Sequence, residues 1–167
     1  MDKDAIFTAV KQYLADAHFE YVTETAPDGF VLTSPELRIK NSLGTVSQTI
    51  RIWDTHMAIQ AHCPVKAAPG HIGETAKFLA LANHDLILGN FDLDVHTGEV
   101  LYRHFLECGG FEVIPAEVLY RHCPIPLVML LHYGDDIAAV ATGRSDAETA
   151  FAEAKEKGIR CGILGRS

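Results

Sequence analysis

The chain has 167 residues, of which 48% are hydrophobic and 22% charged, and this composition predicts one globular domain with a sizeable core. Its formal net charge of −8 argues against nucleic acid as a partner, because phosphate contacts require clustered Lys and Arg side chains. The same charge argues against an anionic membrane surface, so neither a nucleic acid nor a membrane is expected among the partners.

The cysteines and the N-terminus predict a cytoplasmic protein. Four cysteines are scattered without a CxxC pair, which is typical of reduced thiols: Cys63, Cys108, Cys123 and Cys161. Asp2 and Asp4 stand where a signal peptide would carry basic residues. The most apolar run, residues 125–133, is too short to span a bilayer.

The first half of the chain predicts one helix, then strands, then a second helix. Residues 2–17 carry apolar side chains at helical spacing, with Asp2 or Asp4 as the N-cap. Strands are predicted over residues 19–25, 30–33 with a continuation to 39, 45–54 and 57–63, and a helix over 71–83. The last of these strands is expected to face the core with Met57, Ile59, Ala61 and Cys63, and the solvent with His56, Gln60 and His62.

The stretch 91–107 predicts a two-stranded hairpin. Apolar and polar residues alternate from Phe91 to Val95, and Gly98 can take the positive φ of a tight turn. With Thr97 and Gly98 at the centre of the turn, the predicted pairs are Val95 with Val100, Leu93 with Tyr102, and Phe91 with His104. The opposite face would then pair Asp92 with Arg103, a charge pair worth about 0.2–1 kcal/mol.

Prolines mark the predicted helix boundaries in the last third of the chain. Pro115 is expected to open a helix that runs to His122, and Pro124 with Pro126 predicts a kink or a restart before a hydrophobic segment over 125–140. Residues 145–148 predict the cap of a last helix that ends near residue 157. Residues 1–158 are therefore expected to form a single α+β domain, and the Gly-rich residues 159–167 a loose tail.

The segment 81–103 resembles the central signature of the YbjN family of bacterial proteins, which are described as sensory transduction regulators. The matching residues are Asn83 at the helix end, Gly89 and Phe91 at the strand start, Gly98 at the turn and Arg103 on the return strand. The element order α-β-β-β-α-β-β-α, with a possible extra strand, is similar to the type III secretion chaperone fold with which this family is grouped. The resemblance implies an antiparallel β-sheet packed with helices and a chaperone-like or sensory role in which a homodimer binds another protein.

No catalytic residue, cofactor or metal site is expected. The tripeptide His-Cys-Pro occurs at residues 62–64 and 122–124, but adjacent residues on a strand point to opposite faces and do not ligate one ion. Asp92, Asp94 and Glu99 with His96 form an acidic edge on the hairpin. This edge carries the alternative function, a small-molecule- or metal-binding domain or a cryptic enzyme.

The run of apolar residues 125–133 predicts a surface for a partner. A helix that is apolar on all sides must be covered on all sides, and a single sheet covers only one. We expect a homodimer or a groove for another protein here, formed by Leu127, Val128, Leu130 and Leu131.

Overall fold

The computed structural model describes residues 2–161, with side chains through residue 158. These residues form an α+β domain, as predicted, in which six strands make one antiparallel sheet of order β1-β2-β3-β4-β6-β5. The strands are β1 (Val22–Ala26), β2 (Gly29–Arg38), β3 (Thr45–Trp53), β4 (His56–His62), β5 (Asn90–Leu93) and β6 (Val100–Glu107). The helices of this part of the chain are α1 (Lys3–Asp16), α2 (Ile72–Asp85), α3 (Ala116–His122), α4 (Ile125–Ala141) and α5 (Ala147–Cys161).

All of these helices pack on the same face of the sheet. Helices α1 and α3 cover β2, β3 and β4 around a core that includes Leu32, Ile50 and Ile59. Helices α2, α4 and α5 cover β4, β6 and β5 around Phe91 and Tyr102. The opposite face carries no helix anywhere in residues 2–161, so the domain has two layers rather than three.

The N-terminal half follows the predicted pattern. Asp2 caps α1 by accepting a hydrogen bond from the Ala5 amide at 3.0 Å, which satisfies one of the free donors of the first turn. Strand β2 continues past Pro35 by means of an irregularity in its register between Ser34 and Leu37. The residues of β4 that were predicted to face the core are buried. Four strands precede α2, so β4 is the possible extra strand of the predicted element order.

The predicted register of the hairpin is wrong by two residues. Phe91 pairs with Tyr102 and Leu93 with Val100, and β5 ends there, which leaves Val95 56% exposed. The cause is the side chain of Asp94, whose Oδ1 accepts hydrogen bonds from the amides of His96 and Thr97 and closes a longer turn. Because side chains alternate with period two, a shift of two leaves each residue on its predicted face.

Two residues of the family-like signature have structural roles at the start of β5. The Phe91 amide donates to Asn83 Oδ1 at 2.7 Å, and Asn83 Nδ2 donates to the Phe91 carbonyl oxygen at 3.0 Å. Gly89 has a φ of +71°, and a Cβ there would lie 2.4 Å from the Arg103 carbonyl oxygen. The side chain of Asn83 therefore clamps the outer edge of β5 to the end of α2.

The C-terminal helices lie where the prolines predict them, and the last helix is longer than predicted. Pro115 precedes α3 as its N-cap, and Pro124 separates α3 from α4, as expected. Asp146 caps α5 by accepting hydrogen bonds from the amides of Glu148 and Thr149. Helix α5 continues to Cys161, beyond its predicted end near residue 157. Most of the predicted loose tail, residues 162–167, lies outside the described part of the chain.

Candidate functional site

The helix-free face of the sheet carries a cluster of aromatic side chains, which we call the aromatic patch: Trp53, His56 and Phe105. The ring centroid of Trp53 lies 6.0 Å from that of His56, and the two planes are inclined by only 13°. The ring of Phe105 lies 6.0 Å from Trp53 and 5.3 Å from His56. Phe105 is 50% exposed, so the aromatic patch presents apolar area to the surroundings.

The strand register creates the aromatic patch and a depression beside it. On β3 the inward Ile50 and Ile52 alternate with the outward Arg51 and Trp53, and Arg51 pairs with Ala58 of β4. Ala58 in turn pairs with Phe105 of β6. Since a methyl group is short beside its neighbours, the strands carry a depression of about 440 Å³ whose walls include Trp53, Phe105, Arg51 and Arg103.

Ion pairs surround this apolar centre. Arg51 bonds both carboxylate oxygens of Asp28, at 3.0 and 3.2 Å. Arg103 Nη2 lies 2.9 Å from Asp92 Oδ2, so the predicted charge pair forms, although diagonally rather than directly across the strands. Glu107 Oε2 also lies within hydrogen-bond distance of His56 Nε2, at 2.7 Å, and the hydrogen bond from the Gly109 amide lowers the pKa of Glu107. Exposed pairs of this kind stabilise the fold little, but they leave the two guanidinium groups held in place.

The predicted partner surface on α4 is only partly exposed. Val128 is 40% and Leu131 43% exposed, and Leu127 is half-buried. Leu130 is fully buried in the core, so the structure corrects its assignment to the surface. Helices α2 and α5 pack against α4 in addition to the sheet, so a larger part of this apolar helix is covered than a single sheet alone would cover.

The acidic edge of the hairpin does not form a site with free carboxylates. Asp92 pairs with Arg103, and Glu99 Oε1 pairs with Lys66 Nζ at 2.7 Å. Hydrogen bonds from the amides of His96 and Thr97 lower the pKa of Asp94, which is the reverse of what a general base near neutrality needs. Within the described residues, no group of three His, Cys, Asp or Glu side chains is placed to hold a metal ion.

The two His-Cys-Pro segments lie in different parts of the core, with Cys63 in the cluster under α2, α4 and α5 and Cys123 in the cluster under α1 and α3. His122 Nδ1 lies 2.8 Å from Nε2 of the buried His104, and the two rings stack with planes 5° apart. Burial lowers the pKa of both imidazoles, the neighbouring His122 lowers that of His104 further, and Arg121 that of His122. Cys63 and Cys123 are buried free thiols, and burial raises the pKa of Cys63 to about 11.

The aromatic patch was not predicted from the sequence. Its signal was present in part, because Trp53 and Arg51 stand at the outward positions of an alternating strand. Phe105 lies 52 positions from Trp53, and only the pairing of β4 with β6 brings the two together.

Comparisons with models of known protein families and with curated proteins find no match to this chain. The resemblance of residues 81–103 to the YbjN family therefore stays a prediction. The helical stretch Ala116–Ala141 is long and apolar enough to cross a membrane, but 56% of its most apolar window is buried in the fold, as in the core helix of a soluble protein.

Proposed function

We propose that this chain is a non-enzymatic, cytoplasmic protein-binding domain of a chaperone-like or regulatory kind, and that it binds through the helix-free face of the sheet. The observation that carries the proposal is the aromatic patch, where a partly buried Trp53 and a half-exposed Phe105 lie beside Arg51. Trp and Arg are among the residues that carry most of the binding energy at protein interfaces, and Phe is enriched in interfaces, which have a polar rim. The ion pairs of Asp28 and Asp92, together with the contact between Glu107 and His56, supply such a rim.

The partner that best fits this face is a second copy of the chain, in agreement with the homodimer that the family resemblance implies. Arg51 and Phe105 flank Ala58 in one row across the sheet. A two-fold axis along β4 would lay Arg51 of one copy over Phe105 of the other, an arrangement that favours a cation–π contact. Ala58 at the centre would let the two sheets approach to the spacing of about 10 Å seen between packed sheets.

The size of the face agrees with a stable contact. Six strands spaced at about 4.8 Å extend over roughly 24 Å, and the outward rows of β3 extend over roughly 20 Å along the strands. Because side chains project from this footprint, its accessible area is larger than the flat area. It is therefore of the order that standard interfaces bury, about 800 Å² from each partner.

The single tryptophan of the chain reports directly on the proposed interface. We expect sedimentation velocity to detect a dimer, and Trp53 emission to shift to shorter wavelength as protein concentration rises, because the indole leaves water. Phe105→Ser is expected to abolish both changes while the fold survives, since Phe105 faces outward. Val113→Ser is the matched control, because Val113 is equally apolar surface, 74% exposed, and lies outside the sheet.

A monomer at all concentrations would exclude the second copy as partner. In that case, quantitative capture from the native cytoplasm should recover another protein in near-stoichiometric amount with the wild-type chain and the Val113→Ser control, but not with Phe105→Ser. Unchanged Trp53 emission together with no partner that depends on Phe105 would refute the proposed function.

A further inference from the structure

Helix α3 is a short element with prolines at both of its ends. It spans seven residues, Ala116–His122, and no side chain of the described residues caps its first turn. Pro115 precedes it, and Pro124 and Pro126 lack the amide hydrogens that would continue its hydrogen-bond ladder into α4. A helix of about two turns is unstable by itself in water, so the position of α3 depends on its contacts with the rest of the fold.

Polar and apolar contacts hold α3 on the sheet. At its C-terminal end, His122 Nδ1 lies 2.8 Å from Nε2 of His104 on β6, and the two rings are stacked. One residue further along the chain, the side-chain amide of Gln48 donates to the Cys123 carbonyl oxygen at 2.8 Å. Leu119 is buried in the core cluster that α1 and α3 cover. Of these contacts, only the bond between the two imidazoles can change with pH near neutrality.

The bond between the two rings requires one of the facing nitrogens to be unprotonated. It survives the uptake of one proton, because an imidazolium can still donate to the free nitrogen of a neutral imidazole. When both rings are protonated, an N–H of His104 meets an N–H of His122, and two positive charges lie on rings whose centroids are 5.1 Å apart. The second proton is therefore incompatible with the contact.

The charged groups near the pair oppose the added charge. His104 is 4% exposed, and its Nδ1 has no hydrogen-bond partner among the described residues. Within the same part of the chain no carboxylate bonds either ring, and Arg121 beside His122 is positive. Helix α4 carries its carboxylates, Asp135 and Asp136, in its second half, where they bond Ser42 and Lys157. An imidazolium in this site thus lacks a counter-ion.

The titratable side chains of the surrounding core are neutral between pH 5 and 8. Burial raises the pKa of Cys108 to about 11 and those of Cys123 and Tyr102 to about 12. Every buried residue of α1 is uncharged, and burial raises the pKa of Tyr13 among them. From β4, the residue that pairs with His104 is Ile59. Protonation of the two imidazoles is therefore the change of charge that this region undergoes in mild acid.

We propose that the contact between His104 and His122 holds α3 on the sheet at neutral pH, and that uptake of a second proton in mild acid releases α3 and uncovers the core cluster beneath it. The sheet and the aromatic patch on its other face keep their structure. The release of α3 therefore does not depend on the proposed protein-binding function.

The two His-Cys-Pro segments supply matched reporters for this release. Cys123 follows α3 and is buried in the cluster that should open, whereas Cys63 is buried in the cluster under α2, α4 and α5. The reagent 4,4′-dithiodipyridine labels accessible thiols in acidic as well as neutral solution, and peptide mass spectrometry separates the two sites. The measured quantity is the labelling rate of Cys123 divided by that of Cys63 in the full chain. Both cysteines lie between His and Pro, so the influence of the adjacent residues on reactivity is matched.

We expect this ratio to rise by about tenfold or more between pH 7.5 and 5.5, because opening that takes up one proton changes the open population by up to about tenfold per pH unit. His122→Asn puts an amide where Nδ1 lies and keeps the bond when His104 is protonated, so most of the rise should disappear. Arg121→Gln removes the neighbouring positive charge, which should move the midpoint of opening to higher pH. The control is His84→Asn, which removes an exposed imidazole on α2 and should leave the pH dependence unchanged.

A ratio that stays constant between pH 7.5 and 5.5 in the wild-type chain would overturn the proposal. An undiminished rise in His122→Asn would do the same, since opening would then not need a second imidazolium. Labelling of Cys63 that rises in parallel with that of Cys123, with loss of the circular dichroism of the fold, would also overturn it, because the whole domain would then unfold. If His122→Asn does not fold, Arg121→Gln decides, since Arg121 is exposed and an unchanged midpoint would exclude the pair as the cause.

Discussion

Replacement of Asn83 by Ala tests whether a single amide side chain holds the edge of the sheet. Asn83 gives one donor and one acceptor to the backbone of Phe91, at 3.0 and 2.7 Å. A half-buried hydrogen bond contributes about 0.5–1.5 kcal/mol, so the loss of both should lower the free energy of unfolding by about 1–3 kcal/mol. Urea denaturation measures this change. Hydrogen exchange at the Phe91 amide should accelerate by more than exchange in β3, because β5 is released locally.

Two further variants serve as controls for the role of the Asn83 amide. Asn83→Asp keeps the acceptor for the Phe91 amide but turns the donor into an oxygen that faces the Phe91 carbonyl, so the loss should be at least as large as with Ala. Gln12→Ala removes an exposed amide that bonds only Asp16 on the same helix, and it should change the free energy of unfolding by at most about 0.5 kcal/mol. If Asn83→Ala changes neither the unfolding free energy nor the protection of the Phe91 amide, the side chain of Asn83 does not stabilise the edge of the sheet.

Two more predictions concern the core. The pKa values of His104 and His122 are lowered from 6.5 in the folded state, so the unfolded chain binds protons more readily than the folded chain. The contribution of these two histidines to the free energy of unfolding should therefore be fully present above pH 6.5 and should be lost as the pH falls below it. Urea denaturation between pH 7.5 and 5.5 checks this, and NMR titration of His104 at or above pH 6.5 in the folded protein would contradict it. Leu130→Asp should unfold the chain because Leu130 is fully buried, whereas Leu131→Asp should stay folded because Leu131 is partly exposed. Circular dichroism distinguishes the two outcomes. A folded Leu130→Asp protein would place Leu130 outside the core.

The sequence predicted those features that depend on local periodicity. Met57, Ile59 and Ala61 were placed on the correct face because the alternation of a strand is a local property. Pro115 and Pro124 marked the ends of helices because a missing amide and a fixed φ act at their own positions.

The features that the sequence hid depend on contacts between distant segments. The hairpin register was wrong because alternation fixes the face of a residue but not the length of a turn, and the bonds of Asp94 decided that length. Leu130 and Leu131 look alike in an apolar run, and only the packing of α2 and α5 separates core from surface. The rings that contact Trp53 lie on β4 and β6, so the aromatic patch has no motif within one short segment of the sequence.

The order of strands has a consequence for how the chain folds. Each neighbouring pair of strands in the described sheet is consecutive in sequence, except β4 with β6. Their nearest pairing, His62 with Leu101, closes a loop of 38 residues (63–100), which costs about 2 kcal/mol more in chain entropy than a turn of about four residues. The meander β1–β4 and the hairpin β5–β6 can each form through short turns. We therefore expect the joining of these two pieces along β4 to set the folding rate, with α2 drawn into place as they meet.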